Sequence, residues 1–441
     1  MLTRREFLET GAFAVAGSAI AAPVKKDKLN MAFIGTGGRG HSDLDEFYKI
    51  GERVVALCDV DLNNLNGGYN LVKEKWPDAR RYQDWRTMLE KERDLDAVVI
   101  ATPDHMHAIT AIAAMRKGCA VYVEKPLVRT VWEAQEFARV AKEAGVMTQM
   151  GNNGNGTNGQ RRFIEVMQAG ILGEIKEIHQ TTDRPIWPQA LNRPDGSDPI
   201  PAHLNWDAWL GVSPERPFKS GVYHSFKWRG WYDFGTGALG DIACHALSAL
   251  YRALKLTDVI SVETVATTPR FKETYQAAST VKIVVRSNAQ KSPVTIYWYD
   301  GKTGPKPEIC PEAMGRWGSM PINGGRLIIG EKGIIRDGAI KMKDEKDFHD
   351  FNHNELAKAV PQSLPRVQGH HWEFAQAIRG GDTPLSHYDH AVPLTTMVLL
   401  GCISQRVEGR LDWDPAANRF TNSEEANKLL KPFVRDGWKI S

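Results

Sequence analysis

The sequence predicts an α/β protein that begins with a doubly wound parallel sheet and continues into a second domain with further strands. Three observations carry this prediction. The chain has 441 residues, which is enough for two or three domains. Short apolar runs alternate with helical segments between residues 28 and 150, the pattern of a parallel sheet with helices on both faces. A glycine-rich loop directly follows the first of these apolar runs.

The composition is that of a soluble globular protein. Hydrophobic residues make up 42% and charged residues 25% of the chain, which excludes a disordered, a fibrous and a polytopic membrane protein. The formal net charge of +3, without a dense basic run, argues against a dedicated nucleic-acid-binding protein. The five cysteines are scattered, which excludes a disulfide-stapled small domain and a cysteine-based zinc site.

The N-terminus has the features of a targeting segment. The motif TRREFL at residues 3–8 resembles a twin-arginine export signal, and a mildly apolar stretch follows at residues 11–22. Ala19 and Ala21, on either side of Ile20, give the small-x-small pattern of a cleavage site. An amphipathic N-terminus that merely contains two arginines is the alternative. We expect residues 1–22 to be removed and the mature protein to be exported, to the periplasm or an equivalent compartment.

The glycine-rich loop has the spacing of a dinucleotide-binding fingerprint. It follows the apolar run at residues 28–34, and Gly35, Gly37 and Gly40 occupy the glycine positions of G-x-G-x-x-G. The first glycine permits a tight turn, the second lets backbone amides approach a pyrophosphate, and the third lets the next helix pack closely. The helix N-terminus supplies free N–H groups to the phosphates. We therefore predict a NAD-binding domain over residues 28–150.

Asp59 and Arg39 bear on the choice between NAD and NADP. Asp59 ends the second predicted strand, about 20 residues beyond Gly40, where an acidic residue holds the ribose hydroxyls. A carboxylate there repels a 2′-phosphate and favours NAD. Arg39, in the loop beside Gly38, is able to accommodate such a phosphate, so NADP stays open as the second choice. The alternative role for Asp59 is a turn or a helix cap.

Further candidate cofactor contacts follow the later strands of the sheet, whose carboxyl ends face the ligand in such folds. These residues are Thr102, Pro103 and His107 after one strand, Glu124 and Lys125 after the next, and Asn153 after the last. Ordinary loop and turn residues are the alternative. A zinc site at His105 and His107 would need a third ligand that the sequence does not offer, so we predict no bound metal.

Together these segments resemble the Gfo/Idh/MocA family, the group of glucose–fructose oxidoreductase and inositol dehydrogenase. The matching pieces are the glycine fingerprint, TPDHMHA at residues 102–108, AAMRKGCAVYVEKPL at 113–127 and GDIACH at 240–245. The resemblance implies that residues 151–441 form a second domain with a large, mostly antiparallel open sheet, whose final helices pack back on the first domain. It also implies a homodimer or homotetramer.

The resemblance implies hydride transfer between a sugar or polyol carbon and the nicotinamide. Such an oxidation needs a base for the hydroxyl proton. Lys125 of the EKP element would contact the substrate oxygen, while Asp241 and His245, four residues apart, share one face of a helix. Asp241 would bind a substrate hydroxyl or orient the site, and His245 suits acid–base catalysis. An exposed loop lysine and a surface ion pair are the alternatives.

The tryptophan-rich stretch before Asp241 is the candidate substrate wall. The chain has 13 Trp residues, and the C–H faces of sugars pack on aromatic rings. Trp228 and Trp231 are the candidates for this wall, with ordinary core packing as the alternative. Arg161, at the start of a helix after the first domain, is the further candidate for substrate binding.

Export and cofactor binding together predict a cofactor that stays bound, because an exported protein has little free nicotinamide cofactor to exchange with. We predict an exported NAD(P)-dependent oxidoreductase that acts on a small carbohydrate: a sugar, polyol or glycoside. No nucleic acid partner is expected and, in the mature protein, no membrane.

Two alternative functions stay open. One is a redox-neutral glycoside hydrolase or lyase that uses transient oxidation by bound NAD, as in glycoside hydrolase family 109. This chain departs from that group because it retains the EKP element. The extra base for that chemistry is undecided among Tyr223, His224 and Tyr232. The other is a non-catalytic sugar-binding or sensor protein.

Overall fold

The computed structural model of the chain describes residues 23–301, 311, 325–351 and 353–439. The predicted export signal at residues 1–22 and Cys310 lie outside the described residues. The other four cysteines are free and buried. In the described ranges no helix is both long and apolar enough to cross a membrane.

The first sheet has six parallel strands in the order β3-β2-β1-β4-β5-β6. The strands are β1 (Asn30–Ile34), β2 (Arg53–Cys58), β3 (Arg80–Tyr82), β4 (Ala97–Ile100), β5 (Ala120–Val123) and β6 (Thr148–Met150). The helices that alternate with them are α1 (Gly38–Ile50), α2 (Leu62–Val72), α3 (Trp85–Lys91), α4 (His107–Arg116) and α5 (Val131–Ala144). Every residue of β4 is buried, because helices cover both faces of the sheet. The predicted doubly wound sheet is confirmed.

Local sequence signals set the helix ends around this sheet. Helix α5 begins with a capping box, in which the side chains of Thr130 and Glu133 each accept a backbone N–H of the other. Helix α1 ends at Gly51 in the left-handed conformation, a common helix stop. Asp61 caps the N-terminus of α2 through the N–H of Asn63. This cap places a carboxylate at the carboxyl edge of the sheet.

The second sheet has ten strands in the order β14-β13-β12-β11-β7-β10-β9-β8-β15-β16. The strands are β7 (Ile175–Thr181), β8 (Leu256–Thr267), β9 (Ser279–Ser287), β10 (Val294–Asp300), β11 (Arg326–Gly330), β12 (Gly333–Arg336), β13 (Ala339–Met342), β14 (His349–Asp350), β15 (Leu411–Asp414) and β16 (Arg419–Phe420). Neighbouring strands are antiparallel apart from the parallel pair β7 and β10. The predicted mostly antiparallel sheet is therefore confirmed.

The helices of the second half fix the site region against both sheets. They are α6 (Asn158–Gln168), α7 (Trp206–Leu210), α8 (Gly237–Ala246), α9 (Ser248–Ala253), α10 (Glu355–Ala359), α11 (His370–Ile378), α12 (Tyr388–Ser404) and α13 (Glu424–Lys428). Helix α12 packs on α5, α8 and strands β8 and β9. A Cβ on Gly401 of α12 would lie 2.8 Å from Leu239 of α8, so this glycine permits their close approach.

The chain also returns to the first domain near its C-terminal end. The rings of His371 and Phe374 on α11 lie 4.9 Å and 6.2 Å from the ring of Phe47 on α1. Aromatic edge contacts of this kind add to the stability gained from buried area. Helix α11 thus joins the two domains beside the glycine loop.

Candidate active site

The glycine loop between β1 and α1 has the geometry that its fingerprint requires. Gly35 has a φ of +84°, and a Cβ there would lie 2.6 Å from the carbonyl oxygen of Ala101. A Cβ on Gly40 would lie 2.0 Å from the carbonyl oxygen of Gly35, so only glycine lets α1 pack this closely. A Cβ on Gly38 would meet nothing within 4 Å. The loop turns tightly and leaves open space beside it.

This open space belongs to a cavity of about 600 Å³ at the carboxyl edge of the first sheet. The predicted residues that line the cavity are Gly35, Gly37, Gly38, Arg39, Asp59, Thr102, Pro103, His107, Glu124, Lys125, Asn153, Trp228 and His245. The first domain supplies one wall and the second domain supplies the other. The structure therefore brings most of the predicted site residues together, from segments far apart in the chain.

One end of the cavity, called the Asp59 end, lies at the end of β2. The Asp59 carboxylate accepts hydrogen bonds from the backbone N–H groups of Thr36 at 2.8 Å and of Asp61 at 2.9 Å. Burial raises the pKa of Asp59, and these two donors oppose the shift. The carboxylate is thus tied to the glycine loop, where this fold places the ribose of a dinucleotide.

Asp61 connects the Asp59 end to the second domain. Its carboxylate accepts hydrogen bonds from Nδ1 of His203 at 2.9 Å and from Nε2 of His224 at 2.8 Å. Burial alone would raise the pKa of Asp61, but the hydrogen bonds, led by that from His224, lower it. Asp61 is therefore ionised and binds two histidines of the second domain, of which His224 lines the cavity.

The second wall comes from residues 203–229, here called the cover segment. Its backbone forms two hydrogen bonds of 2.9 Å with residues 60–62 at the end of β2. Its interior is an aromatic cluster that includes Trp206, Trp209, Phe218, Tyr223 and Trp228. The C-terminal tail holds it as well, because Arg435 pairs with Asp207 at 2.7 Å. The cover segment is thus attached to both the first domain and the tail.

The other end of the cavity, called the Lys125 end, joins the loop after β5 to helix α8. Nζ of Lys125 donates a hydrogen bond to Oδ1 of Asp241 at 2.9 Å, and Nε of Arg229 donates to the same oxygen at 3.2 Å. Burial opposes the ionisation of Asp241, but the charges of Lys125 and Arg229 outweigh it and lower the pKa to about 2. An ionised Asp241 therefore holds both cations at the cavity wall.

His245 lies one helical turn beyond Asp241 and lines the cavity. Among the described residues, neither of its ring nitrogens has a hydrogen-bond partner. Burial and the charge of Lys125 lower the pKa of His245 to about 3, so the ring is neutral near pH 7. A neutral imidazole that faces a cavity is able to accept a proton from a bound hydroxyl.

Sequence reasoning missed Asp104 and Arg229. Asp104 is 2% exposed and lines the cavity, and one of its carboxylate oxygens accepts a hydrogen bond from Oγ1 of Thr236 at 2.8 Å. Burial and the charge of Asp241 raise the pKa of Asp104 to about 7. The available signal for Asp104 was its place in the strand-end loop, whereas Arg229 becomes visible only through its contact with Asp241.

Two predicted cofactor contacts are already engaged by the protein. The ring nitrogens of His107 lie 2.8 Å from the carbonyl oxygen of Pro126 and 2.9 Å from that of Thr102. Burial lowers the pKa of His107 to about 4, so the ring is neutral near pH 7 and its single N–H donates to one of these two carbonyls. The side-chain oxygen of Asn153 accepts a hydrogen bond from the hydroxyl of Tyr122 at 2.9 Å. Both residues line the cavity, and each already makes a hydrogen bond within the protein.

Arg39 is held by two carboxylates at the middle of the cavity. Its Nε donates to Glu124 at 3.0 Å, and its guanidinium also pairs with Asp43. Asp43 in turn accepts a hydrogen bond from Nε2 of His371 at 2.9 Å. Burial and the charge of Asp43 raise the pKa of Glu124. These partners neutralise Arg39, which weakens the case that it serves a 2′-phosphate.

The structure corrects the expectation for two of the three predicted substrate contacts. Arg161 is 1% exposed and pairs with Glu373 at 2.6 Å inside the second half of the chain. Trp231 is also 1% exposed and packs with its ring 4.9 Å from that of Tyr223. Neither residue lines the cavity, because each side chain is buried against its partner elsewhere in the protein. Trp228 does line the cavity.

The two histidines considered for zinc have separate structural bonds. Nε2 of His105 donates to the carbonyl oxygen of Trp209 at 3.0 Å, and burial lowers the pKa of His105 to about 3. No cluster of three or more His, Cys, Asp or Glu side chains fit to hold a metal ion is present in the part of the chain that the structure describes.

A Rossmann sheet, a glycine loop and a cavity at the strand ends define the class of a nucleotide-dependent oxidoreductase. Residues 29–152 match the model of an oxidoreductase family with a NAD-binding Rossmann fold, and residues 187–296 and 311–440 match its C-terminal alpha/beta domain. The chain therefore belongs to the Gfo/Idh/MocA oxidoreductase family. The predicted NAD-binding domain is confirmed.

Proteins similar in sequence carry glycosidase names. A glycosyl hydrolase family 109 protein of Shewanella pealeana is 29% identical over 203 residues, which are 40% of this chain and 44% of that protein. The alpha-N-acetylgalactosaminidase of Shewanella oneidensis is 29% identical over 157 residues, 34% of each chain. The match thus spans less than half the length of these relatives.

The fold is shared with a solved dehydrogenase. The WlbA dehydrogenase of Bordetella pertussis, in complex with NADH and UDP-GlcNAcA, matches with a TM-score of 0.60 and 17% identity. The match covers 89% of this chain and 99% of that chain. At this identity the likeness shows the fold alone.

Proposed function

We propose that the protein oxidises a secondary hydroxyl of a carbohydrate, with NAD held in the cavity. The single observation that carries this proposal is the Lys125 end, where a neutral, unpartnered His245 lines the cavity beside Lys125 and an ionised Asp241. Oxidation of an alcohol needs a proton acceptor for its hydroxyl, and a hydrogen-bond donor beside that acceptor stabilises the charge that develops on the oxygen.

The residues of the cavity fit NAD. The space beside Gly38 leaves room for phosphates near the N-terminus of α1. Asp59 offers carboxylate oxygens to ribose hydroxyls, and Oγ1 of Thr102 is buried with no hydrogen-bond partner among the described residues. Bound NAD would supply the hydride acceptor of the reaction. Asp59 and the neutralised Arg39 favour NAD over NADP.

The chain's own residues would handle the proton. Lys125 donates a hydrogen bond to the substrate hydroxyl oxygen and stabilises the charge that develops on it. His245 accepts the hydroxyl proton, and its depressed pKa keeps the ring available for this step. Asp241 fixes Lys125 and Arg229 in place. The cover segment closes the second wall and limits the access of water.

Several features of the site and its relatives favour a carbohydrate substrate. Lys125 and Arg229 are both bound to the single carboxylate of Asp241, so this group keeps one positive charge, which suits stabilisation of a developing oxyanion. Trp228 presents an indole at the cavity wall. The names of the relatives and the sugar nucleotide bound to WlbA support a carbohydrate substrate.

We also propose that NAD exchanges slowly. The cover segment is latched by Asp61, by two backbone hydrogen bonds and by Arg435, and these contacts must open before a ligand at the Asp59 end can leave. If residues 1–22 direct export, as predicted, the mature protein would need such slow exchange in order to keep its cofactor. The predicted homodimer or homotetramer stays a prediction.

A second candidate function is redox-neutral cleavage of a glycoside. Two observations favour it. Asp104, with its raised pKa, is a proton donor in the same cavity, and the relatives carry glycosidase names. Among Tyr223, His224 and Tyr232, only His224 lines the cavity, so it is the candidate for the extra base.

The test is to follow the absorbance of reduced nicotinamide in the purified protein while sugars and glycosides are added, and to analyse the products. Net oxidation predicts reduction of bound NAD and an oxidised sugar. Redox-neutral cleavage predicts release of free monosaccharide without lasting reduction. Sugar binding with neither product would contradict both enzymatic candidates and favour the sensor alternative.

A further inference from the structure

An exposed aromatic ring stands at the Lys125 end of the cavity. Phe226 lines the cavity, yet its side chain is 43% exposed. Its backbone carbonyl accepts a hydrogen bond from Nη1 of Arg229 at 3.1 Å, and Arg229 is bound to Asp241. This bond holds the backbone of Phe226 beside Arg229, while the residue stays partly exposed.

The support beneath this ring is aromatic and fixed. The guanidinium of Arg229 lies 4.3 Å from the ring of Trp228 and 4.5 Å from that of Phe226. Trp187 is 4% exposed, and its ring lies 6.1 Å from Phe226 in an edge contact. Both indole N–H groups are bound, Trp187 to Gln189 and Trp228 to a backbone carbonyl. The platform is thus formed before any ligand arrives.

Single exposed apolar residues are normal on protein surfaces and carry no meaning alone. Phe226 differs because it belongs to the lining of the cavity and is backed by the guanidinium of Arg229, which is bound to Asp241.

We propose that Phe226 forms an outer subsite that binds the second ring of a glycoside whose first ring is oxidised at the Lys125 end. This proposal rests on the proposed function. The inner part of the cavity offers hydrogen-bonding groups for the hydroxyls of one ring. The outer part offers a flat apolar face, on which the C–H face of a further sugar ring packs. The substrate class is therefore a disaccharide or longer glycoside.

The test compares each disaccharide with the methyl glycoside of its first ring. The pairs are cellobiose with methyl β-D-glucoside, maltose with methyl α-D-glucoside, and lactose with methyl β-D-galactoside. Binding to the NAD-loaded protein is measured by calorimetry, and turnover by product analysis. We expect at least one disaccharide to bind about tenfold more tightly than its methyl glycoside, the size of one stacking contact.

Variants assign this preference to the ring of Phe226. Phe226→Ala should remove the preference for the disaccharide and leave binding of the methyl glycoside within about twofold, whereas Phe226→Trp should retain it. Phe433→Ala is the matched control, because Phe433 is 59% exposed and lies outside the cavity lining. Phe433→Ala should leave the affinity for both ligands unchanged.

Three results would overturn the subsite: no disaccharide binds, the two members of every pair bind equally, or Phe226→Ala weakens both members alike. Failure of the proposed function looks different. In that case a disaccharide preference that depends on Phe226 would persist while no sugar is oxidised or cleaved.

Discussion

The two ends of the cavity differ in how their polar groups are occupied. At the Asp59 end, both oxygens of Asp59 and both oxygens of Asp61 accept hydrogen bonds from the protein. At the Lys125 end, His245 has no hydrogen-bond partner among the described residues, and one oxygen of Asp104 accepts a hydrogen bond from Thr236. Every carboxylate oxygen of Asp59 and Asp61 thus has a protein donor, whereas the imidazole of His245 has no partner.

This difference suggests separate roles for the two ends: the Asp59 end holds the cofactor, and the Lys125 end carries out the chemistry. A carboxylate that accepts a protein hydrogen bond at each oxygen is fixed in position, which suits a group that must hold a cofactor and a covering segment for many turnovers. An unpartnered imidazole and a weakly solvated carboxylic acid can exchange protons, which suits catalysis. Environments that push the pKa values of two carboxyl groups apart, as for Asp104 and Asp241, mark the acid–base end of a site.

The largest expected effect comes from removing the free imidazole. His245→Gln keeps the size and polarity of the side chain but removes the proton acceptor, so we expect turnover to fall by about 10²–10⁴-fold with bound NAD unchanged. Steady-state kinetics and cofactor content are the measurements. His353→Gln, at an exposed position, is the control. A turnover within about threefold of the natural protein would remove His245 from the mechanism.

A second prediction concerns the acid at the same end. Burial and the charge of Asp241 raise the pKa of Asp104 from 3.8 to about 7. Between these values the folded chain keeps a proton that the unfolded chain releases, so Asp104 lowers stability as the pH rises from about 4 to about 7. The free energy of unfolding of Asp104→Asn, relative to that of the natural protein, should therefore rise across this pH window by on the order of 4 kcal/mol.

Denaturant unfolding at pH 4.5 and pH 8 measures this gain, with Asp195→Asn in an exposed loop as the control. The amide of the variant still accepts the hydrogen bond of Thr236, so the comparison isolates the ionisation. A stability difference that is the same at both pH values would show that Asp104 is ionised in the folded chain and that the two ends are less distinct.

The Asp59 end should set the choice of cofactor. The Asp59 carboxylate would face the 2′-phosphate of NADP, and Arg39 is already neutralised by Glu124 and Asp43. We expect NADH to bind at least about tenfold more tightly than NADPH, because like charges placed together cost several kcal/mol. Fluorescence titration of cofactor-free protein measures this ratio. Equal affinities would mean that Arg39 leaves its carboxylates to meet the phosphate.

The smallest effect is expected for the latch of the cover segment. Asp61→Asn keeps the oxygen that caps α2 but loses the oxygen that accepts from His224. We expect dissociation of NADH to become about tenfold faster, with turnover at saturating NAD unchanged, because a hydrogen bond to a charged group is lost. Stopped-flow release measures the rate. Asp84→Asn, which alters the cap of α3, should leave it unchanged.

Much of the first domain could be predicted from local sequence. The strands, the glycine loop and Asp59 follow from spacings and periodicities within short segments, and the structure places them as expected. Lys125 and His245 follow from a strand end and a helical spacing once the family resemblance is recognised. Asp104 was missed because an acid in a loop is usually solvated, and only its burial gives it a perturbed pKa.

The substrate wall could not be predicted in the same way. Trp228 and Trp231 are three residues apart, yet one lines the cavity and the other is buried against Tyr223. Phe226, which carries the proposed outer subsite, has no sequence signal that separates it from other exposed phenylalanines. Whether an aromatic side chain lines the cavity or is buried depends on which residues pack against it in the folded chain.

The sequence by itself determined the Rossmann fold, the NAD-binding loop and the spacing of Asp241 and His245, because these depend on backbone geometry and on residues close together in the chain. Only the tertiary structure decided that Arg161 pairs with Glu373, 212 positions away, and that Arg229 joins Lys125 on Asp241. A buried charge must find its partner wherever the fold provides one. That partner depends on how the two domains pack, which no local pattern encodes.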